Sequence, residues 1–457
     1  MRNLTQQINQ LEEKATPTSK EALKNLMEDV LKRARKQGAT DAAVSVNHDQ
    51  GFGVDVRMNT VETVAFSEEK GVSVVIYIGQ KKGSATSSDT SPSSLDAMVK
   101  AAYDIALVSA EDPCFGLPDL SVIQFNYPEL DLLHPWIISP EEAAKLALSC
   151  ELHARDLDER IHNSDGVNFS TYTFCHGYAN TRQFSGVVES SRHGMSCSLL
   201  AQEGDGTMQR DYAYTTARHP NDLMPIHELA ALAVKRTTER LSPRQIKTQK
   251  SPVIFSSRVS CGLLSSFIAA ISGTSLYRKN SFLLDSIGQT VFPKNITIYE
   301  DPHKLGALGS TPFDGEGVVT RNNRLVESGI LQQYVLNSYS SRKLGLKTTA
   351  NCGGVSNLTI DSTSGDLPEL LKHMDRGLLV TELMGQGVNG ITGDYSRGAS
   401  GFWVENGKIQ YPVDEITIAG NLKDMFLNIV AVGSDINPST ATRCGSILVE
   451  EMTVAGG

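Results

Sequence analysis

His227-Glu228 opens the pattern of a zinc-peptidase helix, in which two histidines one turn apart hold the metal and the glutamate acts as base. Position 231 is Ala and position 232 is Leu, so the second imidazole is missing and the pair reads as a surface His-Glu. GQGVNG, with Gly385, Gly387 and Gly390, satisfies G-x-G-x-x-G and follows an apolar run, GLLVTEL (377–383). A dinucleotide site needs a helix next, because the helix N-terminus supplies donors to the pyrophosphate. The chain instead continues as ITGDYSRGASGFWVENG, a poor helix, so the glycines read as a turn between strands.

Nucleophiles are no better placed. No serine lies in G-x-S-x-G. Cys175 and His176 are adjacent, and neighbouring side chains on a strand point to opposite faces, which excludes a thiolate pair. Cys444, in TRCGS, reads as a small buried apolar residue. The seven cysteines are odd in number, scattered and never in C-x-x-C, against both a disulfide framework and a thiolate zinc site. The local patterns therefore yield no catalytic residue, no metal ligand and no cofactor-binding residue.

Composition narrows the class. The chain has 457 residues, 40% hydrophobic and 21% charged, which suits a soluble protein of two or three domains. A net charge of -10 argues against a nucleic-acid footprint, which needs clustered Lys and Arg. The one dense basic run, KRARK at 32–36, ends a helix that opens with the capping pattern Thr18 to Glu21 and stops at Gly38, where cations favour the helix dipole. MRNLTQQINQLEEK lacks the apolar stretch of a signal peptide, and no apolar run is long enough to span a bilayer. A cytoplasmic location is expected, with no membrane contact.

The elements that must carry any site read as α+β, because runs of strands are set apart from helices. Short strands at 42–47, 51–60, 61–66, 71–79 and 81–89 suggest an antiparallel meander, and a helix follows SPSS at 91–94. Residues 112–138 resemble a linker. Ser139, Pro140 and Glu142 form a capping box that starts the next helix, strands continue to about 218, and 219–245 is helical in its middle. Asn406-Gly407, inside GFWVENGKIQYPV (401–413), is a hairpin signal. Three units are expected: an N-terminal helix and antiparallel-sheet unit (1–120), a middle helix-plus-strand unit (121–245) and a strand-rich C-terminal domain with one or two helices (246–457).

At the head of that last domain stands CGLLSSFIAAISG (261–273). Leu263, Leu264, Phe267, Ile268 and Ile271 recur at helical spacing, while Ser265, Ser266, Ala269 and Ala270 offer nothing reactive. The stretch reads as a packed amphipathic helix.

Six long stretches are more distinctive: YANTRQFSGVVESSRH (178–193), GDGTMQRDYAYTTARHP (204–220), SLYRKNSFLLDSIGQ (275–289), STPFDGEGVVTRNN (310–323), SYSSRKLGLKT (338–348) and VTELMGQGVNGITGDYSRGASGFWVENG (380–407). Together they closely resemble the TldD/PmbA family of bacterial metallopeptidases, from about residue 38 to the C-terminus. The resemblance implies a cytoplasmic zinc peptidase in which two kinds of chain pair, acting on small peptides, including modified antibiotic precursors, and on unfolded peptides. It also implies that the TldD kind carries H-E-x-x-x-H on a helix, with a later cysteine as third ligand. The order of the flanking motifs places that helix on 261–273, with Ser265 at the first His, Ser266 at the Glu and Ala270 at the second His. Neither hydroxyl nor methyl replaces an imidazole, and a serine cannot serve as the base. The third ligand would fall in or near NIVAVGSD (428–435), which has no cysteine.

The expectation is therefore a non-catalytic chain, without a metal or cofactor of its own, that pairs with a zinc-bearing TldD-like subunit and encloses peptide substrates; in isolation it could form a homodimer. Two rivals stand beside it: a stand-alone regulatory or binding protein of the gyrase-modulator type, acting through protein partners, and a self-sufficient hydrolase with an unrecognised Ser or Cys nucleophile.

Overall fold

The computed structural model describes residues 19–204 and 206–456, and they divide into two compact units. The chain is α+β. Among the described residues the first unit takes 19–50, 68–125 and 174–189. Its helix α1 (Lys20–Gln37) is capped by Ser19, whose side chain accepts from the Ala22 N–H, and ends at Gly38 in the left-handed region, φ 107°. Thr18, the expected cap, lies outside the described residues, as does the stretch 1–14 read for a signal peptide. The basic run at the end of α1 is tied down locally: Arg33 bonds Asp29 at 3.0 Å and reaches Asp96, and Lys32 pairs with Glu28 at 2.7 Å.

The strands expected as five short segments are three: β1 (Asp41–Arg57), β2 (Thr60–Ile78) and β3 (Lys81–Ser87). The glycines that suggested breaks serve close approach instead. A Cβ at Gly51 would stand 2.1 Å from the Thr171 carbonyl oxygen, so only glycine lets the chain run straight through. The turn between β1 and β2 is Met58-Asn59, both at positive φ (49° and 62°), the geometry of a tight hairpin. Helix α2 (Pro92–Val108) carries Leu95, Met98, Val99, Ala102 and Ala106 inward, where they join Met27, Val30 and Ala34 of α1 over the strands.

The second unit takes 51–67, 126–173 and 190–457. Helix α3 (Pro140–Leu157) has the expected capping box, with Ser139 accepting from the Glu142 N–H and Glu142 from the Ser139 N–H. Long strands follow, β4 (Ile161–Asn180), β5 (Ser185–Gln202) and β6 (Met208–Ala217), then helix α4 (Ile226–Thr238). The six strands so far form one sheet in the order β3-β2-β1-β4-β5-β6. Glu151 of α3 is buried and accepts from the Met58 and Asn59 N–H groups at 2.9 and 2.8 Å, fixing the β1–β2 turn.

From β7 (Gln249–Phe255) onward the chain is strand-rich, with five helices of ten residues or fewer: α5 (Cys261–Ala270), α6 (Gly273–Tyr277), α7 (Ser338–Leu344), α8 (Leu367–Met374) and α9 (Leu422–Leu427). The sequence suggested one or two, because helices this short show too few turns for a periodic pattern. Strands β8 (Ile298–Glu300), β9 (Asn323–Glu327), β10 (Ile330–Leu331) and β11 (Leu358–Ile360) make a small antiparallel sheet, order β10-β9-β8-β11. The larger sheet runs β14 (Lys408–Asn421), β13 (Asp394–Glu405), β12 (Gly377–Met384), β7, β16 (Ile447–Ala455), β15 (Ile429–Val432). A further pairing of β14 with β16 closes β14, β13, β12, β7 and β16 into a barrel, with β15 added alongside β16. Asn406-Gly407 forms the β13–β14 turn. No helix among the described residues is long and apolar enough to cross a membrane.

Candidate functional site

Helix α5 packs Leu263, Leu264 and Phe267 into the C-terminal core, where the Phe267 ring meets Phe292 edge-on at 5.1 Å and Phe426 at 6.0 Å. Ile271, just past its end, is buried with them, and Ile268 is partly covered. Ser265 and Ser266 lie on the outer side and spend their hydroxyls on the helix itself, donating to the Cys261 and Gly262 carbonyls at 2.9 and 3.0 Å. Ala270 is 3% exposed, and its carbonyl accepts from the Ser281 hydroxyl at 2.6 Å. The three positions onto which the resemblance maps the zinc motif thus hold two self-bonded hydroxyls and one enclosed methyl. They do not fit a zinc ion.

The region of the third ligand is also occupied by internal bonds. The Asp435 carboxylate accepts from the Ser446 N–H and hydroxyl at 2.9 and 2.7 Å, and the Ser446 hydroxyl in turn accepts from the Ser257 N–H at 3.0 Å. These bonds tie the loop after β15 to the segment leading into α5. Cys444, distant in sequence, is buried beside Ser260, and burial, with Cys261 and Asp435 nearby, raises its thiol far from the thiolate range. Among the described residues no three His, Cys, Asp or Glu side chains come together as a metal-binding group.

Next to the start of α5 the tertiary structure gathers charges that no local pattern shows. Asp211 of β6 is buried and receives the Arg258 fork on both oxygens, Nη1 to Oδ2 at 2.9 Å. Arg240 approaches the same carboxylate at 3.6 Å and also bonds Glu382. Burial works against the Asp211 charge, yet Arg258 holds its carboxyl below the usual range. Arg236, on α4, donates to the Tyr212 carbonyl at 3.2 Å; burial, and then the nearby Arg258, lower its pKa. Arg258 lies 5.3 Å from the Tyr212 ring centre, Tyr212 stacks near Tyr214 at 6.2 Å, and the Asn437 amide donates to the Tyr214 hydroxyl at 3.1 Å. Three guanidinium groups and two tyrosines thus cluster about Asp211 next to the start of α5, with Arg258 on the Asp211 carboxylate, Arg240 on Glu382 and Arg236 on the Tyr212 carbonyl.

The other residues singled out by the sequence lie apart. His227 and Glu228 are exposed at the first turn of α4, 3.9 Å apart. Gly385, Gly387 and Gly390 make the connection between β12 and β13, with no helix after it. Cys175 is buried, its thiol pushed up to about 11 by burial, while His176 is exposed and pairs with Asp49 at 3.0 Å. Among the described residues no cysteine is joined in a disulfide. The arginine group was missed because Arg236, Arg240 and Arg258 lie 25, 29 and 47 positions from Asp211; the only local signal was a polar residue, Asp211, on an alternating strand.

Three family models match in succession: the PmbA/TldA metallopeptidase domain 1 at 42–106, central domain at 133–241 and C-terminal domain at 248–456. Metalloprotease PmbA of Escherichia coli O157:H7 is 46% identical over 439 residues, 95% of this chain and 97% of that protein. A homologue in Haemophilus influenzae is 45% identical over 93% of this chain and 94% of its own length. Among solved structures, a Bacteroides thetaiotaomicron protein described as a modulator of DNA gyrase superposes with a TM-score of 0.91 at 26% identity, covering 96% of this chain and all of that one. TldE of Thermococcus kodakarensis shares the fold, with a TM-score of 0.83 at 20% identity over 94% of this chain and all of that chain. Matched along nearly its whole length, the chain belongs to the PmbA/TldD metallopeptidase family.

Proposed function

We propose that this chain is the non-catalytic subunit of a cytoplasmic heteromeric peptidase: it holds peptide beside α5 while a TldD-like partner supplies the zinc and the cleavage. The observation that carries the reading is the chemistry at Ser265, Ser266 and Ala270. Hydrolysis of an amide by zinc needs ligands and a base at one place, and these positions offer neither. The arginine and tyrosine cluster next to the start of α5 supports a binding role, since each guanidinium carries N–H groups beyond those bonded within the chain and the tyrosines add aromatic faces.

The test is purification of the chain alone and from native extract. The isolated chain should hold well under one zinc per molecule and leave unfolded peptide uncut, and cleavage should appear with a co-purifying TldD-like chain and vanish with chelator. Stoichiometric zinc and chelator-sensitive cleavage by the lone chain would overturn the reading. The likeness to the Bacteroides thetaiotaomicron protein, described as a gyrase modulator, favours a second reading, a regulator acting alone through protein partners; consistent recovery without a TldD-like chain would support it.

A further inference from the structure

A cavity of 930 Å³ opens within the second unit, lined by the segments that follow Tyr214 and Asn437 and by the first turn of α4. Its lining divides by chain segment. The end of β6, the turn after it and the first turn of α4 bring Asp222 and Glu228, the loops at 304–308 and 438–443 bring Lys304 and Arg443, and Asp131, paired with His134 at 3.3 Å, lies in the same lining. The framework is held by Arg218, whose guanidinium donates to the Ala307, Leu308 and Ser191 carbonyls at 2.9, 2.9 and 3.2 Å. That arginine is therefore committed to shaping the cavity. The Ser439 hydroxyl adds a second tie, accepting from the Thr216 N–H at 3.1 Å.

Asp131 is engaged by His134, but the other four lining charges are not committed in this way. Among the described residues Asp222, Lys304 and Arg443 have no ion-pair partner, and Glu228 has only the 3.9 Å approach of His227, its neighbour in sequence. Leu305, Leu308 and Met224 supply apolar surface to the same lining. Unpaired charges of both signs in a concave site match a ligand that carries both signs itself, and the volume is that of an ordinary small-molecule site. We propose that this cavity binds a free short peptide by its two ends, the ammonium on the side of Asp222 and Glu228 and the carboxylate on the side of Lys304 and Arg443. The inference rests on the peptide-handling function proposed above and adds a second place, within this chain, where a small substrate or product is held.

Calorimetric titration of the full chain alone, in chelator, tests this with trialanine and its N-acetyl, C-amide and doubly blocked forms. Free trialanine should bind, and each block should weaken binding about tenfold, the loss of one charged contact. Lys304→Gln, at an exposed position, should weaken free and N-acetyl trialanine but not the amide; Glu228→Gln should do the reverse, weakening the free peptide and the amide. No binding of free trialanine, equal binding of the doubly blocked form, or variants without end-specific effects would overturn the inference. None of those results bears on the zinc content or cleavage that decide the proposed function, so the two fail separately.

Discussion

At the residue scale, the three motif positions differ in how they resist being restored. Ser265 and Ser266 face outward and could accept larger side chains, whereas Ala270 is enclosed and its carbonyl is bonded to Ser281. The combined change Ser265→His, Ser266→Glu and Ala270→His should overpack the last turn of α5 and cost about 1–3 kcal/mol. Thermal melting together with metal analysis checks it: a lower Tm and no zinc-dependent cleavage are expected, because the third-ligand region remains filled by the Asp435, Ser446 and Ser257 bonds. Cleavage gained from these three changes alone would show that the scaffold is still competent.

Asp314 gives a second prediction at this scale. Its carboxylate accepts N–H groups of Glu316, Val318 and Cys352, but burial dominates and pushes its pKa up to about 6. With the folded value above the unfolded one, the folded state binds the proton more tightly. This group's contribution is therefore fully present below the unfolded pKa and is lost as pH rises through about 6. Between pH 7 and pH 4.5 the stability of the natural chain should improve relative to Asp314→Asn by about 2 kcal/mol, read from urea midpoints at the two pH values. A pH-independent difference would assign Asp314 an ordinary carboxyl.

At the element scale, local signals and tertiary constraints divide clearly. The α3 capping box and the Asn406-Gly407 hairpin were legible because every atom involved lies within a few residues. The lengths of β1 and β2 were not, since Gly51 looks like a break until Thr171 is placed against it. The turn joining these strands depends on a helix more than 90 residues further on, through Glu151. Glu151→Ala should cost about 2–3 kcal/mol, the loss of two hydrogen bonds to a charged acceptor, and Glu151→Gln less, as one acceptor oxygen remains. Urea denaturation ranks the two; equal stability of both with the natural chain would show that water replaces the carboxylate at the turn.

At the scale of the whole molecule, residue types and their order along the chain sufficed for the class of protein: α+β, with motifs long enough to assign the family. Those features are fixed by residue type and by order along the chain, which need no folding to be read. The tertiary structure alone decided that β14 meets β16 to close the barrel, that Arg236, Arg240 and Arg258 converge on Asp211, and that Asp222 and Glu228 line the same cavity as Lys304 and Arg443. Each of these is a pairing across long stretches of chain. Hydrophobic periodicity specifies which face of an element is buried but not which distant element covers it, so such pairings emerge only when the core is assembled.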